Sequence, residues 1–191
     1  MSRNTDKVSV NAPRRLHLEP WPFLVCVLLM ARSATAAEIV TSMNWPLGWV
    51  HAEPVKSKNA YVLQAEQDAF SVASQKLQLT ILQAQSGPHG GSASDIQSLA
   101  ELLRDGTASL ALEKNLLLLP FAKGHGFYFS ATRKVEPAHH GPYYKQLVQG
   151  VWRSGAYVVS FSLLTHDATA EDAKAILTSM ESLQITEPGI R

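Results

Sequence analysis

The chain has 191 residues, 17 Lys and Arg against 16 Asp and Glu, a single Cys, and 46% hydrophobic residues. That size and apolar content fit one domain, or one domain plus a processed segment, and exclude an acidic disordered chain. A net charge of +1 lacks the basic excess of a nucleic-acid binder, and one Cys rules out an internal disulfide or a Cys-cluster metal site.

The N-terminus has the three parts of a secretory signal. Arg14 and Arg15 precede an apolar run from Trp21 to Ala31, and Ser33-Ala34-Thr35-Ala36 places Ala at −3 and −1 of a cut after Ala36. A cut after Ala37 fits nearly as well. The run is 11 residues long (21–31), short of the roughly 20 that a membrane-spanning helix needs. A twin-arginine signal is disfavoured because His17 stands where an apolar residue belongs. A lipoprotein signal is disfavoured because Val25, not a small residue, precedes Cys26. The expectation is a signal peptide over 1–36 and an exported protein, periplasmic or secreted, with no transmembrane span after processing. Removing 1–36 leaves 155 residues without Cys; five basic and two acidic residues go with it, so the charge falls from +1 to −2.

In the remaining chain Asn44-Trp45-Pro46-Leu47-Gly48-Trp49 opens the fold, and Asn59 to Gln67 reads as a strand. Leu77, Leu79 and Ile81 alternate and share a strand face. After a Gly/Ser-rich stretch, Ser86 to Ser94, Ser94 and Gln97 form a capping box. Ile96, Leu99, Leu102 and Leu103 then fall on one helical stripe, with Gly106 expected to end or loosen that helix. The apolar run Leu116 to Phe121 and the strand Phe127 to Thr132, with Phe127, Phe129 and Ala131 inward, predict a hairpin.

Gln146 to Arg153 and Ala156 to Thr165 flank Ser154-Gly155 and predict a second hairpin. A two-residue loop there sets Trp152 opposite Tyr157, Gly150 opposite Val159 and Val148 opposite Phe161; a three-residue loop would shift the register by one. Gly150 marks a bulge or leaves room for Trp152. Thr169 and Asp172 cap a final helix, with Glu171 suited to its dipole, and Ala173, Ile176, Leu177, Met180 and Leu183 form its core stripe. The class is α+β, an antiparallel sheet packed with two main helices.

From Leu116 onward the chain carries an apolar strand, then Gly126-Phe127-Tyr128-Phe129-Ser130, then a Pro-containing loop to Gly141-Pro142-Tyr143-Tyr144. Leu147-Val148-Gln149-Gly150, Tyr157 to Thr165 and the Ala173 to Met180 helix follow, and Leu47-Gly48-Trp49 is compatible at the start. This order resembles the PsbP-like superfamily, in particular its DcrB-type uncharacterised exported bacterial proteins. The resemblance implies a single PsbP-like sandwich over 37–191 and a non-enzymatic binding or assembly role, with a protein partner and no cofactor. It rests on structural residues, and nothing matches the functional residues of plant PsbP, so only the fold transfers.

No G-x-S-x-G elbow, phosphate loop, H-E-x-x-H or dinucleotide fingerprint occurs, and no catalytic residue is assigned. The mature chain keeps His51, His89, His125, His139, His140 and His166. Eight strand residues at about 3.3 Å each put His125 roughly 26 Å from His139, too far to share a metal. The two-residue-loop register sets Tyr143 opposite His166, which gathers Glu136, His139, His140, Tyr143, His166 and Asp167 at one end of the sheet. A metal or anion site is geometrically allowed there, and a solvated polar loop is the plainer reading. Adjacent His139 and His140 point to opposite sides unless the chain turns. Pro142, Tyr143 and Tyr144 are candidates for a protein contact, or one Tyr packs on the hairpin core; Trp45 and Trp49 carry the same two readings. Two alternative functions stay open: a small His-dependent metal-binding protein or hydrolase, and an immunity-type inhibitor of a secreted toxin.

Overall fold

The computed structural model describes residues 39–57, 60–67, 75–84, 93–123, 125–134, 144–165 and 170–187. By internal contacts the chain divides into Met1–Met30 and Ala31–Arg191, and every described residue belongs to the second unit. The elements, in order, are β1 (Val40–Ser42), β2 (Trp49–His51), β3 (Val55–Ser57), β4 (Ala60–Gln67), β5 (Lys76–Gln83), α1 (Ala93–Ala108) and β6 (Leu119–Pro120). They continue as β7 (Gly126–Thr132), β8 (Gln146–Ser154), β9 (Tyr157–Thr165), α2 (Ala170–Met180) and β10 (Gln184–Thr186). The fold is α+β. One sheet runs β2-β4-β5-β9-β8-β7-β6, with β3 also on β4, and β1 pairs with β10. Every pairing is antiparallel.

Period-two alternation gives the central strands two different faces. Leu63, Leu79, Phe161 and Val148 lie on one face and pack with Ile176 and Met180 of α2. Phe129 and Ala131 of β7 lie on the other, with Ala111, Leu116, Leu118 and Leu103 of α1. Phe127 shares that parity but is only half-buried. On α2 the expected stripe holds: Ile176 and Met180 are buried, Ala173 and Leu177 pack beside them, and Leu183 follows just after the helix.

The stripe on α1 differs from the expected one. Ile96, Ala100 and Thr107 are buried and Leu103 is packed, whereas Leu99 and Leu102 are exposed. The helix presents its 96-100-103-107 line to β7 and β8, so hydrophobicity alone pointed about a sixth of a turn too far round. The helix also starts at Ala93, placing Ser94 inside its first turn, and runs past Gly106 to Ala108.

The β8–β9 hairpin closes two residues away from the expected register. Ser154 pairs with Tyr157, Trp152 with Val159, Gly150 with Phe161 and Val148 with Leu163. The loop is therefore Gly155-Ala156, with Gly155 at φ 58. A positive φ at the first central position is what a tight hairpin turn demands, and Gly supplies it without steric cost. A shift of two leaves every side chain on its expected face.

Gly150 makes room for Phe161 rather than Trp152. A Cβ there would lie 2.4 Å from the Phe127 carbonyl oxygen and 2.7 Å from Cε1 of Phe161. Gly126 is the residue that accommodates Trp152, whose Cβ would lie 2.3 Å from an added methyl. Gly150→Ala lowers stability by about 1–3 kcal/mol, the usual penalty for overpacking, measured by urea unfolding; an unchanged midpoint would contradict this packing.

The C-terminal strand is fastened through Tyr157, whose hydroxyl donates to Glu187 Oε1 at 2.7 Å. Burial, then this hydrogen bond, push the phenol from 10.0 up to about 12. The raised value means its stabilisation is fully present below pH 10 and is lost as pH rises through about 12. Tyr157→Phe costs about 1 kcal/mol at neutral pH and flattens the alkaline loss of stability across that window, as read from unfolding midpoints against pH.

Candidate functional site

The α2-side core ends in a row of polar residues. One row inward, Ala65, Leu77, Leu163 and Val148 are paired across β4, β5, β9 and β8, and all four are buried. At the next position the Gln67 N–H donates to the Gln75 carbonyl at 3.0 Å. Lys76 pairs with Leu164, which sets Gln75 opposite Thr165, and Thr165 pairs with Gln146. The sequence across the strands is thus Gln67, Gln75, Thr165 and Gln146, and β7 extends it with Thr132.

The middle of this row is the driest part. Gln75 is 5% exposed and Thr165 is 0% exposed. Three side-chain atoms at this end are buried with no hydrogen-bond partner: Gln75 Oε1, Thr165 Oγ1 and the Tyr144 hydroxyl. Tyr144 stands just before β8, where the Lys145 N–H donates to the Thr165 carbonyl at 2.9 Å. Directly opposed residues in an antiparallel pair have Cβ atoms about 5 Å apart and diagonal ones about 7–8 Å, so Gln75, opposite Thr165, and Tyr144, diagonal to it, each hold a position next to Thr165, one on either side. The arrangement offers one amide acceptor and two hydroxyls, each able to donate or accept.

Of the expected site residues, only Tyr144 is among the described residues, and it stands at this end, half-buried. Glu136, His139, His140, Pro142, Tyr143, His166 and Asp167 lie outside the described residues. The connections that carry them leave β7 after Thr132, enter β8 at Gln146 and leave β9 after Thr165. The expected alignment of Tyr143 with His166 rested on Ser154-Gly155 as the loop, whereas the loop is Gly155-Ala156 and Gln146 pairs with Thr165. Among the described residues no group of three or more His, Cys, Asp or Glu could hold a metal. His125 is exposed at the far end of β7, where its carbonyl accepts from the Arg153 N–H at 2.8 Å. Trp45 and Trp49 pack on the α2-side core, and Trp45 stacks with Trp49 at 6.4 Å and with exposed His51 at 4.9 Å between ring centroids. Among the described residues no helix is long and apolar enough to cross a membrane.

The opposite face carries a polar line that hydrophobic periodicity did not single out. Gln64, Gln78, Ser162 and Gln149 are paired across β4, β5, β9 and β8. Gln64 Nε2 donates to Gln78 Oε1 at 3.4 Å, Gln149 Nε2 to Ser162 Oγ at 3.1 Å, and Thr107 Oγ1 of α1 reaches Gln149 Oε1 at 3.2 Å. The signal was present: the outward positions of Leu77-Gln-Leu-Thr-Ile81 and of Phe161-Ser-Leu163 are uncharged amides and hydroxyls. No family model matches the chain, and no curated protein matches it.

Gln149→Leu keeps the volume but removes two hydrogen bonds and costs about 0.5–1.5 kcal/mol for each. In a Ser162→Ala background the same change costs less, because one bond is already gone. A double-mutant cycle in urea checks this, and strict additivity would contradict the line.

Proposed function

We propose that this chain is an exported, non-enzymatic binding or assembly factor of PsbP-like fold that meets a protein partner along its β6 edge. The observation that carries the reading is a series of outward leucines there. Leu117 is 73% exposed and Leu112 59%, with Leu110 and Leu119 also exposed. Their neighbours Leu116 and Leu118 pack inward against Phe129 and Ala131, so the apolar run is divided between core and surface. Exposed apolar residues gathered in one place mark interaction surfaces, whereas single ones do not.

The same edge resists pairing with a second copy. Pro120 of β6 has no N–H to offer a new strand. The Glu113 carboxylate already accepts the Thr132 N–H at 2.9 and 3.1 Å. Burial pushes the Glu113 carboxyl up, but hydrogen bonds from Thr132 outweigh it and hold the group below its ordinary value. A blocked edge with exposed leucines fits a partner that packs through side chains, not one that extends the sheet.

A photo-crosslinking residue at Leu117 in the full chain is expected to trap one discrete protein in the cells that produce it. Leu112→Asp should abolish the product with little change in melting temperature, because Leu112 is exposed, and a probe at exposed Thr178 of α2 should trap nothing. A crosslink only to a second copy, equal trapping at both positions, or turnover by the isolated chain would overturn the reading.

A further inference from the structure

We propose that the α2-side end of the sheet is a binding site for a small neutral hydroxyl-bearing molecule, held by Gln75, Thr165 and Tyr144. Folded proteins leave few buried polar atoms without a partner, and a lone one costs about 1–3 kcal/mol. Three such atoms, on Thr165 at the end of β9 and on the residues flanking it just before β5 and just before β8, mark a place where the missing partner comes from outside the chain.

The chemistry of the ligand follows from what surrounds those atoms. Gln75 Oε1 can only accept, so the ligand must donate at least one hydrogen. The Thr165 and Tyr144 hydroxyls either donate or accept, which suits a molecule carrying more than one hydroxyl. The row itself, Gln67, Gln75, Thr165 and Gln146, contains no ionisable side chain. A charged ligand would be stripped of water beside Leu77 and Leu163, both buried, with no opposite charge in the row to compensate. A neutral polyol or sugar meets both conditions: its hydroxyls match the three polar atoms and its carbon skeleton rests on the apolar row beneath.

This site lies where β5 and β8 begin and β9 ends, apart from the β6 edge, so either assignment can fail alone. The test is titration of the full chain with glucose and with glycerol, followed by the side-chain amide NMR signals of Gln75 and by melting temperature. Acetate serves as the charged comparison. Polyols stabilise proteins generally by exclusion from the surface, an effect that does not saturate, so saturation is the decisive feature. The expected result is a saturable shift of the Gln75 amide signals by glucose or glycerol. That response should be at least tenfold weaker in Thr165→Val and in Tyr144→Phe, and absent with acetate. Thr165→Val preserves shape, and Tyr144→Phe offers a second variant should the first fail to fold. An unsaturable response, an equal response in both variants, or a melting temperature raised by both substitutions with no probe binding would overturn the proposal.

Discussion

Phe161 occupies the point on which the sheet depends. Its ring lies 5.8 Å from Trp152 and 5.9 Å from Phe121, edge-on to both, and Phe121 also meets Tyr128 at 5.2 Å. Aromatic pairs at such distances and tilts add about 0.5–1.5 kcal/mol each beyond the area they bury. The cluster joins β9, β8, β7 and the segment after β6, and it exists because two of its facing positions have no side chain. Gly150 stands opposite Phe161, and Gly126 opposite Trp152. With no Cys between residues 37 and 191, cross-linking cannot substitute for this packing.

Both ends of the sheet follow from that centre. Toward the β8–β9 turn the core closes on protein groups: Tyr157 on Glu187, Ser154 Oγ on the Leu183 carbonyl, and Gln83 on Glu187. Toward Thr165 the apolar rows stop, and the next row is Gln67, Gln75, Thr165 and Gln146, buried in its middle with polar atoms left over. One end of the molecule thus closes on hydrogen bonds between β9, the β8–β9 turn and the C-terminal strand, and the other gathers Gln75, Thr165 and Tyr144, whose polar atoms are buried without a partner. The difference separates a structural end from a candidate binding end.

Much of this architecture was legible in the sequence, because alternation in Leu77 to Ile81 and Tyr157 to Thr165 and helical spacing from Ala173 to Met180 report directly on burial. Three features were not. The α1 stripe was misplaced because Leu99 and Leu102 are apolar yet exposed, while Ala100 and Thr107 take the buried positions. The hairpin register depended on which residue precedes the positive φ, and Ser154-Gly155-Ala156 allows either loop until the strands are paired. The role of Gly150 depends on which ring stands opposite it, which is a consequence of that register. Of the candidate site, Tyr144 was read from the sequence only as a protein contact or a core residue, and Gln75 and Thr165 were not singled out: one is an ordinary residue just before β5 and the other the ordinary last residue of β9. Their significance lies in lacking a partner, a property of the folded neighbourhood and not of local pattern.

The most direct measurement is a crystal structure of the chain soaked in glucose, at a resolution that shows ordered water. The account predicts a sugar hydroxyl within hydrogen-bond distance of Gln75 Oε1 and another at Thr165 Oγ1 or the Tyr144 hydroxyl. Water alone at those atoms in the soaked crystal, or hydrogen bonds from the chain's own groups to all three, would contradict it.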